Sequence, residues 1–368
     1  SILELQRKSK GVINQIPNFV PTYGVKKDHN SRVGLAKPEF YFDRFDQYFF
    51  NTMSSLLPRC ILEDFQQINN DIEIHFKPYV NLKYIVGESW IGNNIASMGI
   101  AHLQYHKNIC HVYNEHNALF YPFVGSMIEY RASLSDVYYS MGWNNIKINN
   151  FSKGASLFEF QLETKRRIKY EITIISNHRF AKIPEYSSFY GFCGENVERF
   201  TAYMREFYSS LSLETKRTIL YRGARPGFGA DTIYDNEYLL KPYLSELSNQ
   251  DTSALSGKEI MAASGLVILD YFATSFLESL HMNVPTILLM NEEIYYLKPQ
   301  YADFFDELMA VGICHNNASK AAAFIENVKS DINKWWFSVE TQNSRIAFID
   351  KNFGNRNEAI RYYLSLIE

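Results

Sequence analysis

At 368 residues the chain exceeds the roughly 250–300 over which a single hydrophobic core usually keeps growing, so two domains are expected, and 46% hydrophobic with 21% charged residues excludes a disordered chain. A formal net charge of -3 without a Lys/Arg run speaks against nucleic acid as a partner, while leaving room for local basic patches. Cys60, Cys110, Cys193 and Cys314 show no CxxC spacing, no stretch approaches the roughly 20 apolar residues of a membrane span, and Ser1 to Lys10 is not signal-like, so a cytoplasmic protein, soluble or peripheral at a membrane, is expected.

In chain order, Tyr84 to Val86 reads as a short strand, Ile95 to His106 as a helix, Ile109 to Tyr113 as a second strand and Val137 to Trp143 as a third. Strands alternating with helices predict an α/β fold with a mostly parallel sheet. The polar segment Asn149 to Lys169, with Ser152 and Gly154, predicts an interdomain linker, dividing residues 1–160 from 161–340. A second alternation follows: strand Tyr170 to Ser176, amphipathic helix Val197 to Leu211 and strand Arg217 to Arg222. The strongest unit is Gly265 to Met290, read as buried strand, tight turn, short helix opening at Phe276, Asn-Val-Pro turn and second buried strand. From Ser319 onward the chain reads as helical, with Trp335 and Trp336 adjacent and a last helix near Glu358 to Ile367.

Ligands of open parallel sheets collect beyond the carboxyl ends of the strands, which directs attention to Asp270, Thr274, Ser275 and Glu278 in the turn after the strand of that unit. Backbone N–H groups and the positive end of the helix dipole suit a phosphate there, and Thr274 and Ser275 add hydroxyls. Ser275-x-x-Glu278 also has the spacing of a capping box, which by itself accounts for both residues. At the end of the second strand, Asn114-Glu115-His116-Asn117 places a carboxylate beside an imidazole, suited to general-base or nucleophilic work on a hydroxyl, although four polar residues also make an ordinary turn. His178 and Arg179 follow the first strand of the second half, and Arg222 and Arg225 accompany the next; either loop can neutralise a phosphate or a sugar acid, or simply lie on the surface. Glu88, Arg44 and Asp46 are weaker candidates. The chain has no P-loop, no G-x-G-x-x-G, no H-E-x-x-H and no D-x-D sugar–metal signature, so kinase, dinucleotide oxidoreductase and metalloprotease readings lose support and metal dependence is not indicated.

The ordered set LPRCILEDF, VGESWIGNNIA, NEHN, SDVYYSMGW, ILYRGARPGFG, LDYFATSFLESLHMNVPTIL, FFDELMAVGICH and INKWWFSVETQ resembles the O-antigen-biosynthesis transferases, which are distantly similar to retaining β-Kdo glycosyltransferases and to CDP-glycerol transferases. The resemblance covers most of the chain after about residue 40, and its specific part is D-Y-x-x-T-x-x-x-E, N-x-P-T and W-W in that order. It implies a GT-B glycosyltransferase: two Rossmann-like domains with parallel sheets facing across a cleft, with the last segment, 341–368, crossing back to the first domain. The donor nucleotide is then expected on Thr274, Ser275 and Glu278 with Asp270 close by, and Glu115 and His116 facing the reacting sugar. No cofactor is implied. The donor substrate is expected to be a nucleotide sugar, CMP-Kdo favoured by the resemblance and by the basic loops at Arg179 and Arg222. The acceptor is expected to be a lipid-linked surface glycan, with peripheral contact to the inner membrane or a polysaccharide synthase complex. Where that family commonly has Gln-His-Gly-Gly, this chain has Glu115-His116-Asn117-Ala118, which restricts backbone approach and supplies a carboxylate, a candidate with Asp270 for a covalent adduct. A polyol-phosphate transferase using a CDP-activated donor and a non-catalytic nucleotide-sugar-binding module are the alternatives.

Overall fold

The computed structural model describes residues 7–9, 28, 30, 32, 43–57, 59, 62–79, 82–87, 94–115, 122, 128–144, 149–155, 166–176, 179–180, 195–223, 234–247, 249–251, 253–352, 354 and 356–367. The fold is α/β and is organised by two parallel sheets. The first joins β1 (Tyr84–Gly87), β2 (Cys110–Asn114), β3 (Val137–Tyr139) and β4 (Phe151–Ser152) in simple sequential order. Helix Asn94–Lys107 makes the crossover from β1 to β2, and helix Ile128–Ser133 the crossover from β2 to β3. β4 lies within the segment read from sequence as a linker. Two residues are too short to show a strand period, yet Phe151 and Ser152 pair with Tyr138 and Tyr139 of β3 and finish the sheet. The far end of that segment is also fastened, because Arg166 donates to the carbonyls of Ala262 and Ser264 beside the second sheet.

The second half begins with β5 (Tyr170–Ile175), followed by the short antiparallel partners β6 (Arg179–Phe180) and β8 (Tyr234–Asp235), with β7 (Ile219–Arg222) between them in sequence. β9 (Asn249–Gln250), β10 (Ser264–Leu269), β11 (Thr286–Leu289) and β12 (Cys314–His315) complete it. The spatial order is β12-β11-β10-β5-β7-β9. Counted in sequence within the sheet, this is the doubly wound order 3-2-1-4-5-6 read from its other edge. β10 is buried along almost its full length, as its unbroken run of Leu, Val and Ile requires of a strand covered on both faces. The predicted strand Arg217 to Arg222 is shorter than expected: Arg217 and Thr218 close helix Leu213–Thr218, whose Ser212 cap accepts from Thr215 N–H at 3.1 Å.

The recurring N-x-P-T and W-W motifs meet in space. Asn283 takes a left-handed conformation (φ 53°) just past helix Thr274–His281, and its Oδ1 accepts from Trp336 Nε1–H at 2.8 Å and from Gln342 Nε2–H at 3.1 Å. Arg345 Nη1 donates to the Leu280 carbonyl at 2.7 Å, so the carboxyl end of that helix is tied to helices Ile332–Trp336 and Val339–Asn352.

The two sheets share one core. Trp143, 2% exposed in the loop after β3, meets Tyr301, Phe304 and Phe348 with ring centroids 4.9, 5.7 and 6.4 Å away. Phe348 in turn touches Phe276 of helix Thr274–His281. Lys298 N–H, past the end of β11, donates to the Pro122 carbonyl past the end of β2 at 2.7 Å, so loops from the carboxyl ends of both sheets meet. Replacing Trp143 with Ala removes the central ring of this contact and is expected to cost about 3–5 kcal/mol in a denaturant titration. A loss below about 1 kcal/mol would show that the sheets are held together elsewhere.

Candidate functional site

In a doubly wound sheet the strand order reverses where the first strand and the first strand of the second half lie side by side, and the crossovers leave to opposite faces there. Here those neighbours are β5 and β10, paired in parallel from Ser264↔Tyr170 to Leu269↔Ile175. The residues that leave them, Ser176 and Asp270, flank the reversal, and both are buried, Asp270 at 2% exposure. From Asp270 the chain passes through buried Tyr271, Phe272 and Ala273 into helix Thr274–His281.

This helix opens two residues earlier than the sequence pattern indicates. Its N-cap is Ala273, extended at φ -147° and ψ 179°, and no side chain caps it. Ser275 therefore lies inside the first turn, where its hydroxyl shares a 2.7 Å hydrogen bond with Tyr271 Oη, and the Ser275–Glu278 capping box is not formed. The spacing does form a box elsewhere: Glu259 N–H donates to Ser256 Oγ at 3.2 Å and Ser256 N–H to Glu259 Oε2 at 2.6 Å, opening helix Gly257–Ala262. Thr274, Ser275 and Glu278 remain partly exposed. Burial raises the Glu278 carboxyl above its ordinary range, against the opposing pull of Lys258.

Arg222 is not an open anion hook. Only 7% exposed, it points Nη1 at Asp251 Oδ2, 2.5 Å away, and donates Nη2–H to the Leu255 carbonyl at 2.9 Å. Asp251 is pushed up by burial, but donors from Ser253 and then the Arg222 guanidinium outweigh this and hold it below the usual carboxylate range. The partner comes 29 residues later, beyond β9, and only the β7–β9 pairing brings it alongside. Arg179 has its backbone in β6, opposite Asp235. His178 and Arg225 lie outside the described residues, as do His116, Asn117 and Glu88. Arg44 and Asp46 fall on helix Arg44–Leu56.

At the exit of the first sheet, Glu115 is 2% exposed and its Oε2 accepts from Met141 N–H at 2.8 Å, while its own N–H donates to the Tyr139 carbonyl at 3.1 Å. Ser140 is a second fastener. Its Oγ donates to the Trp143 carbonyl at 2.6 Å and accepts from Gly154 N–H at 3.2 Å. The carboxylate expected to face a sugar thus binds the backbone of the next strand exit. A carboxylate at this position satisfies a turn N–H, a role that four adjacent polar residues at a strand end do allow. Asn114, the last residue of β2, stays partly exposed and accepts at Oδ1 from the Tyr363 hydroxyl at 2.5 Å. Sequence reading could not find this contact, which spans 249 positions. Among the described residues no group of three or more His, Cys, Asp or Glu is placed to hold a metal ion, and no helix is long and apolar enough to cross a membrane.

Comparison with known proteins gives a match to the LIC12162 family transferase over residues 2–366. No curated protein matches the chain. Solved structures similar to it include a glycosyltransferase from Rickettsia africae ESF-5, at 14% identity over 85% of this chain and 82% of that one with a TM-score of 0.48. HepE from Anabaena in complex with UDP-glucose is similar at 10% identity over 92% and 97% with a TM-score of 0.49, and the wall teichoic acid polymerase TagF at 12% over 84% and 94% with a TM-score of 0.39.

Removing one member of the buried ion pair, as in Arg222→Met, leaves Asp251 uncompensated and is expected to cost about 3–5 kcal/mol at neutral pH. Because the folded pKa of Asp251 is depressed, its contribution is complete above the unfolded value of about 3.9 and disappears as pH falls through the folded one. Urea titrations at stepped pH should show this acid limb in the native chain and a weaker one in Asp251→Asn. Glu278 has the opposite sign. Its raised pKa means that stability is complete below about 4.3 and declines as pH climbs through the folded value, so Glu278→Gln should be more stable than the native chain at pH 7 and equal to it in acid.

Proposed function

The chain belongs to the LIC12162 family transferases, and from that premise we propose that it is a glycosyltransferase whose nucleotide-activated donor lays its phosphates against the amino end of helix Thr274–His281. The observation that carries this is the reversal of strand order between β5 and β10, from which the chain passes into that helix through Ala273, an N-cap with no capping side chain. Thr274 and Ser275 in the first turn of the helix are partly exposed, which supports a phosphate at this end. Two parallel sheets joined at their carboxyl ends support a GT-B arrangement, in which the acceptor approaches from the exits of β2 and β3.

In this reading Asp270, at the exit of β10, orients the donor sugar. Glu115, bound to Met141 N–H, holds the exit of β2, and His116, next in sequence, takes the acceptor proton. Positioning and preorganised donors, rather than a designated metal site, stabilise the departing phosphate. CMP-Kdo is the first donor to test on the sequence resemblance alone, since Arg222 is taken up by Asp251 and no longer contributes positive charge for a sugar acid. Transfer of a sugar onto a surface glycan is favoured over polyol-phosphate transfer from a CDP-linked donor, which would occupy the same crevice.

Thr274→Asp separates this reading from a purely structural helix end. A carboxylate in the first turn is expected to stabilise the helix by about 0.3–1 kcal/mol, and to repel a phosphate from the same place. Thermal shifts with CMP-Kdo, UDP-glucose and CDP-glycerol should show stabilisation of the native chain by one donor class, and loss of that shift in Thr274→Asp while the fold is retained. An unchanged shift in the variant would put the nucleotide elsewhere. Release of nucleotide from CDP-glycerol alone would replace sugar transfer with polyol-phosphate transfer.

A further inference from the structure

We infer that Asn114 donates through its Nδ2 group to the acceptor glycan, and that Tyr363 is the positioning residue that turns the amide to do so; this rests on the transferase reading above.

Asn114 ends β2, the strand whose exit carries Glu115, and it pairs across the sheet with Tyr139 of β3. Helix Arg356–Ser365 lies against that point. Tyr362 stacks on Tyr139 with centroids 4.0 Å apart, and Tyr363, 3% exposed, meets the same ring edge-on at 5.3 Å. Beneath this layer the Tyr363 hydroxyl reaches Asn114 Oδ1 at 2.5 Å. Burial, with Tyr139 and Tyr362 as close neighbours, raises the Tyr363 pKa well above its ordinary value, so the group keeps its proton and acts as a donor. The amide oxygen is thereby committed, and the orientation of the side chain follows from it.

What remains of Asn114 is two N–H groups, and Nδ2 donates to none of the described residues. Its neighbours Tyr113 and Glu115 are buried while Asn114 itself is partly exposed. A polar side chain is thus held open at a strand exit by a contact from the other end of the chain. An amide donor placed there suits a polyhydroxylated ligand. Accepting Nδ2–H at one hydroxyl oxygen of the acceptor sugar would fix the ring relative to the strand exit.

Asn114→Asp tests the amide without disturbing its fastening, because a carboxylate oxygen still accepts from Tyr363 while both N–H groups are gone. Tyr363→Phe keeps the stacked rings and removes only the hydroxyl. Transfer of labelled sugar from whichever of the three donors shifts the native chain is measured onto a total bacterial glycolipid extract, alongside urea titration and donor thermal shift. The Asp variant should unfold like the native chain and bind donor equally well, but transfer at least about tenfold more slowly with a higher KM for the extract. Tyr363→Phe should slow transfer by about fivefold in the native background and have no further effect in the Asp variant, since its hydroxyl acts through the amide. Wild-type transfer by Asn114→Asp, or equal losses from Tyr363→Phe in both backgrounds, overturns the inference and leaves the transferase reading intact. Failure of the native chain to bind any of the three donors removes both.

Discussion

Two sheets that share no strand are held in one core by the wedge of Trp143 among Tyr301, Phe304 and Phe348. The rings meet edge-on, a geometry favoured by their opposed quadrupoles and one that resists sliding more than a flat apolar contact does. Together with the Lys298–Pro122 hydrogen bond, this contact sets how the two halves meet. Trp143 leaves β3 only a few residues beyond the exit where Glu115 binds Met141 N–H, and Phe348 passes the contact to Phe276, one turn from Ala273 at the helix opening. The exits of the first sheet and the amino end of helix Thr274–His281 are thus connected through packed rings, which transmit displacement because interiors are close-packed.

Around that wedge, the buried charges and the half-open polar groups divide the work. Arg222 and Glu115 are buried, as is the side chain of Asp251, and each is bound to a backbone group or to an opposite charge that sets a strand exit. Groups so committed are poor hooks for a passing ligand, because releasing them leaves a charge stranded in low dielectric. Thr274, Ser275, Glu278 and Asn114 are smaller or less buried, and they border the reversal of strand order or the opposing strand exit. In the proposed reading the first set supplies rigidity and the second set touches the ligands.

What the sequence made legible follows the same division. The alternation of strand and helix, the paired buried strands around Asn283 and the place of the helix at Thr274 all come from local pattern, and they stand in the structure within a few residues. Local pattern also misled. Ser275-x-x-Glu278 has the spacing of a box that the backbone forms at Ser256 and Glu259, because the opening of a helix depends on where the preceding strand delivers the chain. β4 is too short to have a period, and it was hidden in a polar stretch. The partners of Arg222, Asn114 and Asn283 are 29, 249 and 53 residues away, and nothing in a linear spacing encodes them. The co-occurrence of N-x-P-T with W-W is a long-range signal in the sequence, and in the structure it corresponds to a hydrogen bond from an indole to a turn.

The fastening of Asn114 by Tyr363 also has a temporal side. A chain is made from its amino end, and β1 to β3 have emerged long before residue 363 is added. Throughout that interval the exit of β2 lacks its tyrosine lid, and Gly354 (φ 55°), which turns the chain tightly over Gly154 and Ala155 to deliver the last helix, has not yet been synthesised. The exit of β2 is therefore completed only after the second sheet, although its strand is encoded before it, and a nascent chain interrupted within helix Arg356–Ser365 would carry both sheets and an unfinished strand exit.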